Sequence, residues 1–557
     1  MAGNERVGKA GITRRQAFAG ALVAGAAALA TGATLTAQRA AHADEARTEP
    51  EGPAPSQVVI TMTPASEPAA GFDPLVSWGC GEHVHEPLIQ STLITTDVNL
   101  EFQNDLATSY ECSDDGLTWT FTIRDDIKFT DGEPLTASDV AFTVNGIING
   151  SASEADLSMV EKAEAIDDIT VVLTMNKPFN ALLYTLAVVG IVPEHAYGPD
   201  YGANPIGSGR YMLEQWDKGQ QVILRANPDY YGEPVKMERV VVVFMEEDAS
   251  IAAAQAGQVD VAYTSATYSD VLPQGYELLA CNSVDSRGVS LPCVPAGGTK
   301  TDGGVDYAQG NDVTCDVAVR RALNYGTDRA RLISNVLNGY GTPAYSVGDG
   351  LPWSSEDMRC DTDVDYARQL LEDAGWLVPD SATDGIRVKD SVRCAFDLYY
   401  SAGDSARQAI AMEWANQMRE IGVEVNPKGA SWDDIYVHQY ESPVEWGWGS
   451  NAPIEMYELN YSSGWGNYAS YESTAVDAYL DEALAQPNVE DSYDLWKKAQ
   501  WDGEQGVAPQ GAATWVWFTN IDHLYYAREG LQIAEQKPHP HGHGWSLANN
   551  VDQWSWA

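Results

Sequence analysis

The chain has 557 residues, and its 80 aspartates and glutamates against 33 lysines and arginines give a formal charge of −47 at pH 7. A surface with this charge repels phosphate backbones and anionic membrane surfaces, so nucleic acid is excluded as an expected partner. The length exceeds what one hydrophobic core usually serves, and the chain is therefore expected to fold as two to four domains.

The first residues have the pattern of an export signal. Arg14 and Arg15 follow a basic stretch and precede a run of small, mildly apolar residues. A bilayer-spanning helix needs about 20 strongly apolar residues, and this run is too weak and too rich in glycine to be a good one. We therefore predict a twin-arginine signal peptide over residues 1–43, with the mature chain starting at Asp44. A retained N-terminal anchor is the alternative interpretation.

The next segment bears on where the mature protein resides. Residues 44–56 are acidic and rich in proline, which is typical of a short flexible leader. No cysteine precedes Cys80, so the lipid-modified cysteine (lipobox) that tethers many surface proteins is not expected. The expected location is the periplasm or the outer face of the cell membrane.

The first half of the mature chain predicts strands with a few helices. Residues 58–62 are mostly β-branched, and residues 117–130 alternate apolar and polar side chains, which is the period of a half-buried strand. A helix is predicted over residues 136–145, capped by Thr136 or Ser138. Two buried strands and an alanine-rich helix follow, at 169–175, 239–245 and 248–257.

Helical spacing dominates after about residue 315. Residues 365–374 predict a helix that is closed by Gly375. A further helix, with apolar residues at 410, 414, 418 and 421, ends at Gly422 and leads into a short strand at 423–425. Helices that alternate with short strands predict an α/β fold for this part of the chain.

All seven cysteines follow the predicted signal peptide. An odd number leaves at least one thiol free or intermolecular, and no C-x-x-C pair indicates a zinc or redox site. Because exported proteins can form disulfides, we expect two bridges, Cys281–Cys293 and Cys360–Cys394.

Catalytic signatures are missing from the sequence. It contains no G-x-S-x-G elbow, no H-E-x-x-H, no Walker loop and no dinucleotide fingerprint. We therefore expect a protein that is not an enzyme and that needs no cofactor, with nickel or zinc considered only as a bound ligand.

Seven stretches of the mature chain match the segments of one known family in the family's order. These stretches are Phe72-Asp73-Pro74-Leu75, GLTWTFTIRDDIKFTDGEPLTASDVAFTV (116–144), PIGSGRYMLEQW (205–216), RANPDYYGEP (225–234), QAGQVDVAY (255–263), VRRALNYGTDRARL (319–332) and YARQLLEDAGW (366–376). Over nearly its whole mature length the chain resembles the extracellular solute-binding proteins of dipeptide, oligopeptide and nickel ABC importers, family 5.

The resemblance implies an α/β, bilobed periplasmic-binding-protein-like fold of type II, in its large three-subdomain variety, with a hinge between the lobes. It implies a first lobe at 57–290 that contains an inserted subdomain at about 96–200. The second lobe would span 291–515, and residues 516–557 would return to the first lobe. Closure of the hinge would bury a ligand between the lobes.

The resemblance also implies residues that face the ligand. It places Trp78 at the cleft, where core packing is the alternative, and it matches residues 446–451 to the cleft loop of the second lobe. Peptide-binding members usually carry an aspartate after this loop's tryptophan, and Asn451 stands in that neighbourhood here, with Glu455 as the nearest acid. The candidate ligand-binding residues are Trp78, His83, Trp446, Trp448, Ser450, Asn451 and Glu455.

Nickel-chelate binders of the family tend to use an arginine that this chain lacks at 187–193. Metal binding instead has two other candidates. His83 would fall close to Trp78, although a solvated histidine is the default interpretation. His539, His541 and His543 alternate along an extended segment, expected at the surface and away from the cleft, so their imidazoles could converge on one ion. An unliganded polar tail is the alternative for these three.

These observations predict an exported receptor that captures short peptides in an inter-lobe cleft and delivers them to the transmembrane permease of an ABC importer. The protein is expected to be a monomer. A receptor for nickel, or for another transition metal or its chelate, is the competing hypothesis within binding proteins. A secreted peptide hydrolase is a third and less favoured class.

Overall fold

The computed structural model describes residues 56–76, 79–80, 83–150, 155–542 and 544–557. The predicted signal peptide and almost all of the predicted leader lie outside these ranges and stay predictions. None of the helices within the ranges combines the length and the apolar character needed to cross a bilayer.

The strands up to the first crossing between the two large sheets are β1 (Gln57–Met62), β2 (Gly79–Cys80), β3 (His83–Val84), β4 (Ile94–Thr96), β5 (Phe102–Asn104), β6 (Ala107–Cys112), β7 (Thr118–Ile123), β8 (Val160–Ala165), β9 (Thr170–Met175), β10 (Tyr211–Asp217), β11 (Gln221–Ala226), β12 (Arg239–Phe244), β13 (Val261–Thr264) and β14 (Tyr276–Cys281). The strands after it are β15 (Ser286–Ser290), β16 (Gly298–Asp302), β17 (Val305–Gln309), β18 (Gly341–Pro343), β19 (Val388–Lys389), β20 (Val392–Arg393), β21 (Ala395–Ser401), β22 (Glu424–Ala430), β23 (Val444–Trp448), β24 (Trp515–Ile521), β25 (His523–Arg528), β26 (Leu531–Gln532) and β27 (Ser555–Trp556).

The α-helices are α1 (Ala137–Asn149), α2 (Leu182–Leu186), α3 (Glu247–Gln255), α4 (Val317–Tyr325), α5 (Arg329–Val336), α6 (Val364–Asp373), α7 (Ser405–Glu420), α8 (Trp432–His438), α9 (Ile454–Asn460), α10 (Thr474–Leu484) and α11 (Val489–Gln500).

The first lobe is built on a seven-stranded sheet in the order β10–β11–β12–β1–β13–β25–β14. β1 pairs in parallel with β12 and β13, whereas the other neighbours are antiparallel. Trp545 and Trp554, near the end of the chain, pack into the core of this sheet. The last segment therefore contributes to the first lobe.

The second lobe is built on a six-stranded sheet in the order β18–β24–β15–β23–β21–β22. Its helices α4 to α7 cover one face through an apolar core that includes the fully buried Trp414. The other face carries Trp446, Trp448, Trp515 and Trp517, which belong to a larger core that continues into the inserted subdomain.

The inserted subdomain contains a four-stranded sheet, β6–β7–β9–β8, with α1 packed against it. The alternation that the sequence predicts is confirmed in β7, where Trp119, Phe121 and Ile123 are buried. The predicted cap of α1 is confirmed as well: Thr136 and Asp139 form a capping box, in which the Thr136 backbone N–H donates to Asp139 at 2.9 Å.

The chain crosses from the first sheet to the second between β14 and β15, at residues 282–285, and returns between β24 and β25, at Asp522. The structure therefore has the two sheets and the two short connections that the predicted bilobed fold with a hinge requires. The proposed lobe limits at 290 and 515 stay predictions as a division into domains, and the strands place the two connections a few residues away from them.

The two expected disulfides are wrong. Cys112, Cys281, Cys293, Cys315, Cys360 and Cys394 are free thiols. Cys281 and Cys293 are close in sequence but lie on either side of the first crossing, so they belong to different lobes. Burial raises the pKa of Cys281 and of Cys394 to about 12, which keeps both thiols protonated and unreactive in the folded protein.

Alkylation of the unfolded but unreduced protein should therefore label at least six cysteines, because all six described thiols are free. The intact mass after treatment with iodoacetamide in denaturant measures this number. A protein with both expected bridges would leave only three of its seven cysteines to react, and that mass would contradict the structure.

Candidate functional site

A cavity of about 220 Å³ lies between the lobes. Five separate parts of the chain supply its walls, including residues 155–156, and they come from both lobes and from the inserted subdomain. Its lining includes residues from 85–96, 181–188, 448–465 and 540–549. A second cavity of about 350 Å³ adjoins it on the first-lobe side and shares Glu86, Thr96, Ala187 and Asn549 with it.

The second-lobe wall begins where β23 ends, at Trp448. Its ring lies 5.4 Å from that of Trp465, centroid to centroid, and only 5% of the residue is exposed. The indole Nε1 of Trp448 is buried and finds no hydrogen-bond partner among the described residues. A buried N–H without a partner is costly, so this donor is available to a molecule that enters the cavity.

The loop after Trp448 is held against the first crossing by a glycine. Gly449 has φ +145°, and a Cβ at this position would lie 1.9 Å from the carbonyl oxygen of Val284. Only glycine permits this close approach of two backbones. The loop then continues through Asn451, whose Nδ2 donates to the carbonyl of Pro538 at 3.0 Å, while its buried Oδ1 has no partner within the described chain.

Glu455, in the first turn of α9, completes this wall and is 93% buried, since only 7% of it is exposed. Burial raises the pKa of its carboxyl to about 8, and the neighbouring Glu458 adds to the shift, whereas the backbone N–H groups of Gly449 and Ser450 oppose it. Its Oε2 has no hydrogen-bond partner among the residues described. The structure thus brings Trp448, Ser450, Asn451 and Glu455 of the sequence-based candidates to one wall.

Trp446, the remaining candidate of this loop, does not line the cavity and packs in the core. Its ring stacks on Tyr468 at 4.1 Å with the planes 10° apart, and its Nε1 donates to Ser290 Oγ at 3.0 Å. Residues 446 and 448 share one face of β23, but only the residue at the end of the strand reaches the cavity.

The opposite wall comes from the inserted subdomain and is in contact with the second lobe. Tyr184 of α2 lies on the cavity wall and packs edge-on against Trp353 of the second lobe, with 5.9 Å between the ring centroids. Beside it, Asn180 donates through its Nδ2 to the carbonyl of Ala483 at 2.8 Å, and through its backbone N–H to Leu484 at 3.0 Å. The lobes therefore touch across the cavity.

Two predicted residues of the first lobe, Trp78 and the side chain of His83, lie outside the described part of the chain, so their predicted roles are untested. The cavity wall is formed nearby by His85 and Glu86. Glu86 forms an ion pair with Lys537, whose Nζ also donates to Thr96 Oγ1 at 3.0 Å. This ion pair stands between the two cavities.

The histidine segment near the end of the chain is not an exposed tail, contrary to the expectation. His539 is fully buried, and its backbone N–H donates to the carbonyl of Asn282 in the first crossing. His541 lines the cavity, and its backbone N–H donates to the carbonyl of Gly449 at 2.6 Å. The segment runs beside the first crossing at the hinge and pairs with its backbone.

Asp285 is the centre of the polar contacts at this hinge. Its carboxylate accepts from Arg287, lies 2.5 Å from His541 Nδ1 and 3.0 Å from His523 Nε2, and is almost fully buried. Burial opposes its ionisation, but the guanidinium of Arg287 and the contacts with both histidines hold its pKa well below the usual range. His523 Nδ1 lies 3.2 Å from His539 Nδ1, which extends the network.

The predicted three-histidine metal site stays untested, because His543 lies outside the described residues. The other two side chains already have protein partners, His523 for His539 and Asp285 for His541. In the part of the chain that is described, no group of three or more His, Cys, Asp or Glu side chains is arranged to hold a metal ion.

A second buried charged group lies on the face of β23 opposite to the tryptophans. Arg407 donates to the Glu445 carbonyl at 3.0 Å and to Asp404 at 3.1 Å. A Cβ on Gly447 would lie 2.5 Å from Arg407 and 2.8 Å from Arg287, so a larger residue at this strand position would displace the two buried guanidinium groups. The fully buried Glu445 carboxyl has no hydrogen-bond partner among the described residues, and burial raises its pKa to about 8.

Replacing Glu445 with glutamine should stabilise the protein at pH 8 more than at pH 5, by roughly 2 to 4 kcal/mol. The folded state keeps this carboxyl protonated up to a pKa of about 8, whereas the unfolded chain ionises it near 4.5. The destabilising effect of Glu445 is therefore absent below pH 4.5 and grows as the pH rises to 8. Glutamine, which does not ionise, removes this effect. Urea unfolding at both pH values measures the difference, with exposed Glu472→Gln as the matched control. An equal effect of Glu445→Gln at both pH values would contradict the raised pKa.

The arrangement is suited to holding a small molecule and burying it between two bodies. Tyr184, His85, Glu86 and His541 are wall residues that the sequence analysis did not assign to the cavity. The sequence predicts His541 only as part of an exposed tail. The matched stretches end before the histidine segment, so they carried no signal for its position at the hinge.

The fold and the cavity define a two-lobed solute-binding protein. The model of "Bacterial extracellular solute-binding proteins, family 5 Middle" matches residues 101–503. Protein XP55 from Streptomyces lividans is 31% identical over 524 residues, which cover 90% of each chain. This chain belongs to the bacterial extracellular solute-binding proteins of family 5, as the sequence predicted, and this is a substrate-binding family.

Two further proteins show the same fold. The oligopeptide-binding protein AppA from Bacillus subtilis is 29% identical over 431 residues, 72% of this chain and 75% of its own length. Its structure in complex with a nonapeptide superimposes with a TM-score of 0.68 at 22% identity, over 90% of this chain and all of AppA. NikZ from Campylobacter jejuni, in complex with Ni(L-His), superimposes with a TM-score of 0.73 at 23% identity, over 90% and 100% of the two chains. The predicted bilobed α/β fold is confirmed.

Proposed function

We propose that the protein is the extracytoplasmic substrate-binding component of an ABC importer, which captures short peptides between its lobes and delivers them to the permease. One observation carries the proposal: hydrogen-bonding groups in the cavity wall are buried and unused within the described chain. They are Trp448 Nε1, Asn451 Oδ1 and Glu455 Oε2. The name of the relative AppA supports peptides as the ligand class.

These groups complement the start of a peptide chain. Glu455 and Asn451 offer two acceptors for an ammonium group, and the Trp448 N–H offers a donor for the first carbonyl. The rings of Trp448 and Trp465 supply apolar area for a side chain. Closure of the lobes, supported by the contact of Asn180 with the second lobe, would exclude water and strengthen these interactions.

Native mass spectrometry of the protein purified without refolding tests the proposal. A ladder of co-purified short peptides is the expected result. A single bound nickel or zinc ion would support the metal receptor instead, and release of cleaved products from a peptide mixture would indicate a hydrolase.

A receptor for a transition metal or its chelate is the second candidate, because His85 and His541 lie on the cavity wall. NikZ, whose fold is the same, was solved with Ni(L-His). The imidazole of His541 would have to leave Asp285, or bind through its other nitrogen, to take part.

Export by the twin-arginine route, a location in the periplasm or on the outer face of the membrane, and a monomeric state are parts of the same proposal. Cell fractionation with N-terminal sequencing tests the first two. A mature terminus at Asp44 is expected, and a protein that retains residues 1–43 would contradict cleavage of the signal peptide.

A further inference from the structure

We propose that the cavity selects ligands with a net positive charge, holding an ammonium group at Glu455 and offering no cationic anchor to a free carboxylate. This inference rests on the proposed function, since it specifies which peptides, or other amines, the cleft accepts. The ligand class is amines and basic or C-terminally amidated peptides, rather than peptides that must end in a free carboxylate.

The charges of the cavity wall are of one sign. The acidic residues that line it are Glu86, Asp156, Glu455 and Glu458, and no lysine or arginine lines it among the described residues.

The described lining of the adjoining cavity does not supply an unpaired cation either. Its lining contains Lys537 and Arg210, but each already has an acidic partner. Lys537 pairs with Glu86, and Arg210 pairs with Asp552 at 2.8 Å. The acids on this lining, which include Asp97, Asp105 and Glu535 besides Glu86, outnumber the two cations.

Two buried groups on the wall of the first cavity determine which hydrogen-bonding groups a ligand should carry. Glu455 and Trp448 are both more than nine-tenths buried, and one polar atom of each has no partner within the described chain. The carboxyl oxygen calls for a donor, and the indole N–H calls for an acceptor. Burial raises the pKa of Glu455 to about 8, and an incoming ammonium group would lower it again because it favours the ionised carboxylate.

A ligand carboxylate, in contrast, would bind unfavourably in this cavity. It would lie among the acidic side chains of Glu86, Asp156 and Glu458, and the described cavity wall has no lysine or arginine to pair with it. Like-charge contact at a desolvated interface is strongly unfavourable. Removing that carboxylate, for example as a C-terminal amide, should therefore strengthen binding, whereas blocking the amine should weaken it.

The test uses three pools of tetrapeptides with the same randomised sequences. One pool has free N- and C-termini, the second has C-terminal amides, and the third has C-terminal amides and N-acetyl groups. Native mass spectrometry of the mature protein with each pool should show amides binding about tenfold or more tightly than free acids. The acetylated pool should bind about tenfold or more weakly than the amides.

Glu455→Gln should reduce the advantage of the amides and the penalty of acetylation to about twofold or less. Glu472→Gln removes an equal charge at an exposed position and should leave both intact. Should Glu455→Gln fail to fold, as judged by its thermal unfolding, Glu458→Gln at the half-buried neighbouring position replaces it and should reduce the preference for amides in the same direction.

The outcomes separate this inference from the function on which it rests. Free acids that bind as well as amides, with or without Glu455, would overturn the charge selectivity while peptide capture stands. A protein that binds none of the three pools would overturn peptide capture itself, and the inference with it.

Discussion

Replacing Asp285 with asparagine should lower the free energy of unfolding by about 3 to 5 kcal/mol at neutral pH. The substitution keeps the volume of the side chain but leaves Arg287 buried without its carboxylate. It also weakens the contacts with His523 and His541, which join the C-terminal segment to the crossing. Urea unfolding followed by tryptophan fluorescence measures the loss.

Asp380→Asn is the matched control, because it removes the same charge from an exposed position and should change stability by less than about 0.5 kcal/mol. A loss of less than about 1 kcal/mol in Asp285→Asn would show that the hinge network contributes little to folding. Because the pKa of Asp285 is held well below its usual value near 3.8, this stabilisation should be complete above about pH 4 and should decline progressively as the pH falls below that value.

Replacing Trp448 with alanine should weaken binding of the amidated tetrapeptide pool by about 30- to 1000-fold, equivalent to roughly 2 to 4 kcal/mol. The change removes both the buried ring on the cavity wall and the Nε1 donor. Trp448→Phe keeps most of the apolar area and should weaken binding about tenfold, which corresponds to the loss of one hydrogen bond. Native mass spectrometry or calorimetry gives the ratio.

Trp432→Ala is the control for this series, since Trp432 stacks on Trp446 but is 38% exposed and does not line the cavity. Its affinity for the pool should stay within about threefold of the unaltered protein. Equal losses in Trp432→Ala and Trp448→Ala would mean that the effect arises from general disruption of the aromatic core and not from the cavity wall.

The helices and strands that depend only on neighbouring residues could be predicted from the sequence. β7 follows from alternation, α1 from its capping box, and α6 and α7 from helical spacing closed by Gly375 and Gly422, both of which adopt positive φ. These signals need only a few neighbouring residues. The cleft loop was also found, because a matched loop carries Trp448 and Asn451 with it.

Predictions that needed distant contacts failed or were not made. Cys281 and Cys293 are twelve positions apart but are separated by the crossing between the lobes, so closeness in sequence was misleading. The histidine segment looked like a surface tail because proline and glycine surround it. It is buried because it pairs with the crossing that contains Asn282 and Asp285.

The sequence by itself determined the charge of the surface, most of the strands and helices, and membership of the solute-binding family, because each depends on composition or on short ordered motifs. Only the tertiary structure decided which side chains meet in the cavity. Residues near 85, 184, 455 and 541 become neighbours through the two crossings and the docking of the inserted subdomain on the second lobe. Contacts of that range depend on how whole sheets pack, and no local pattern of residues encodes them.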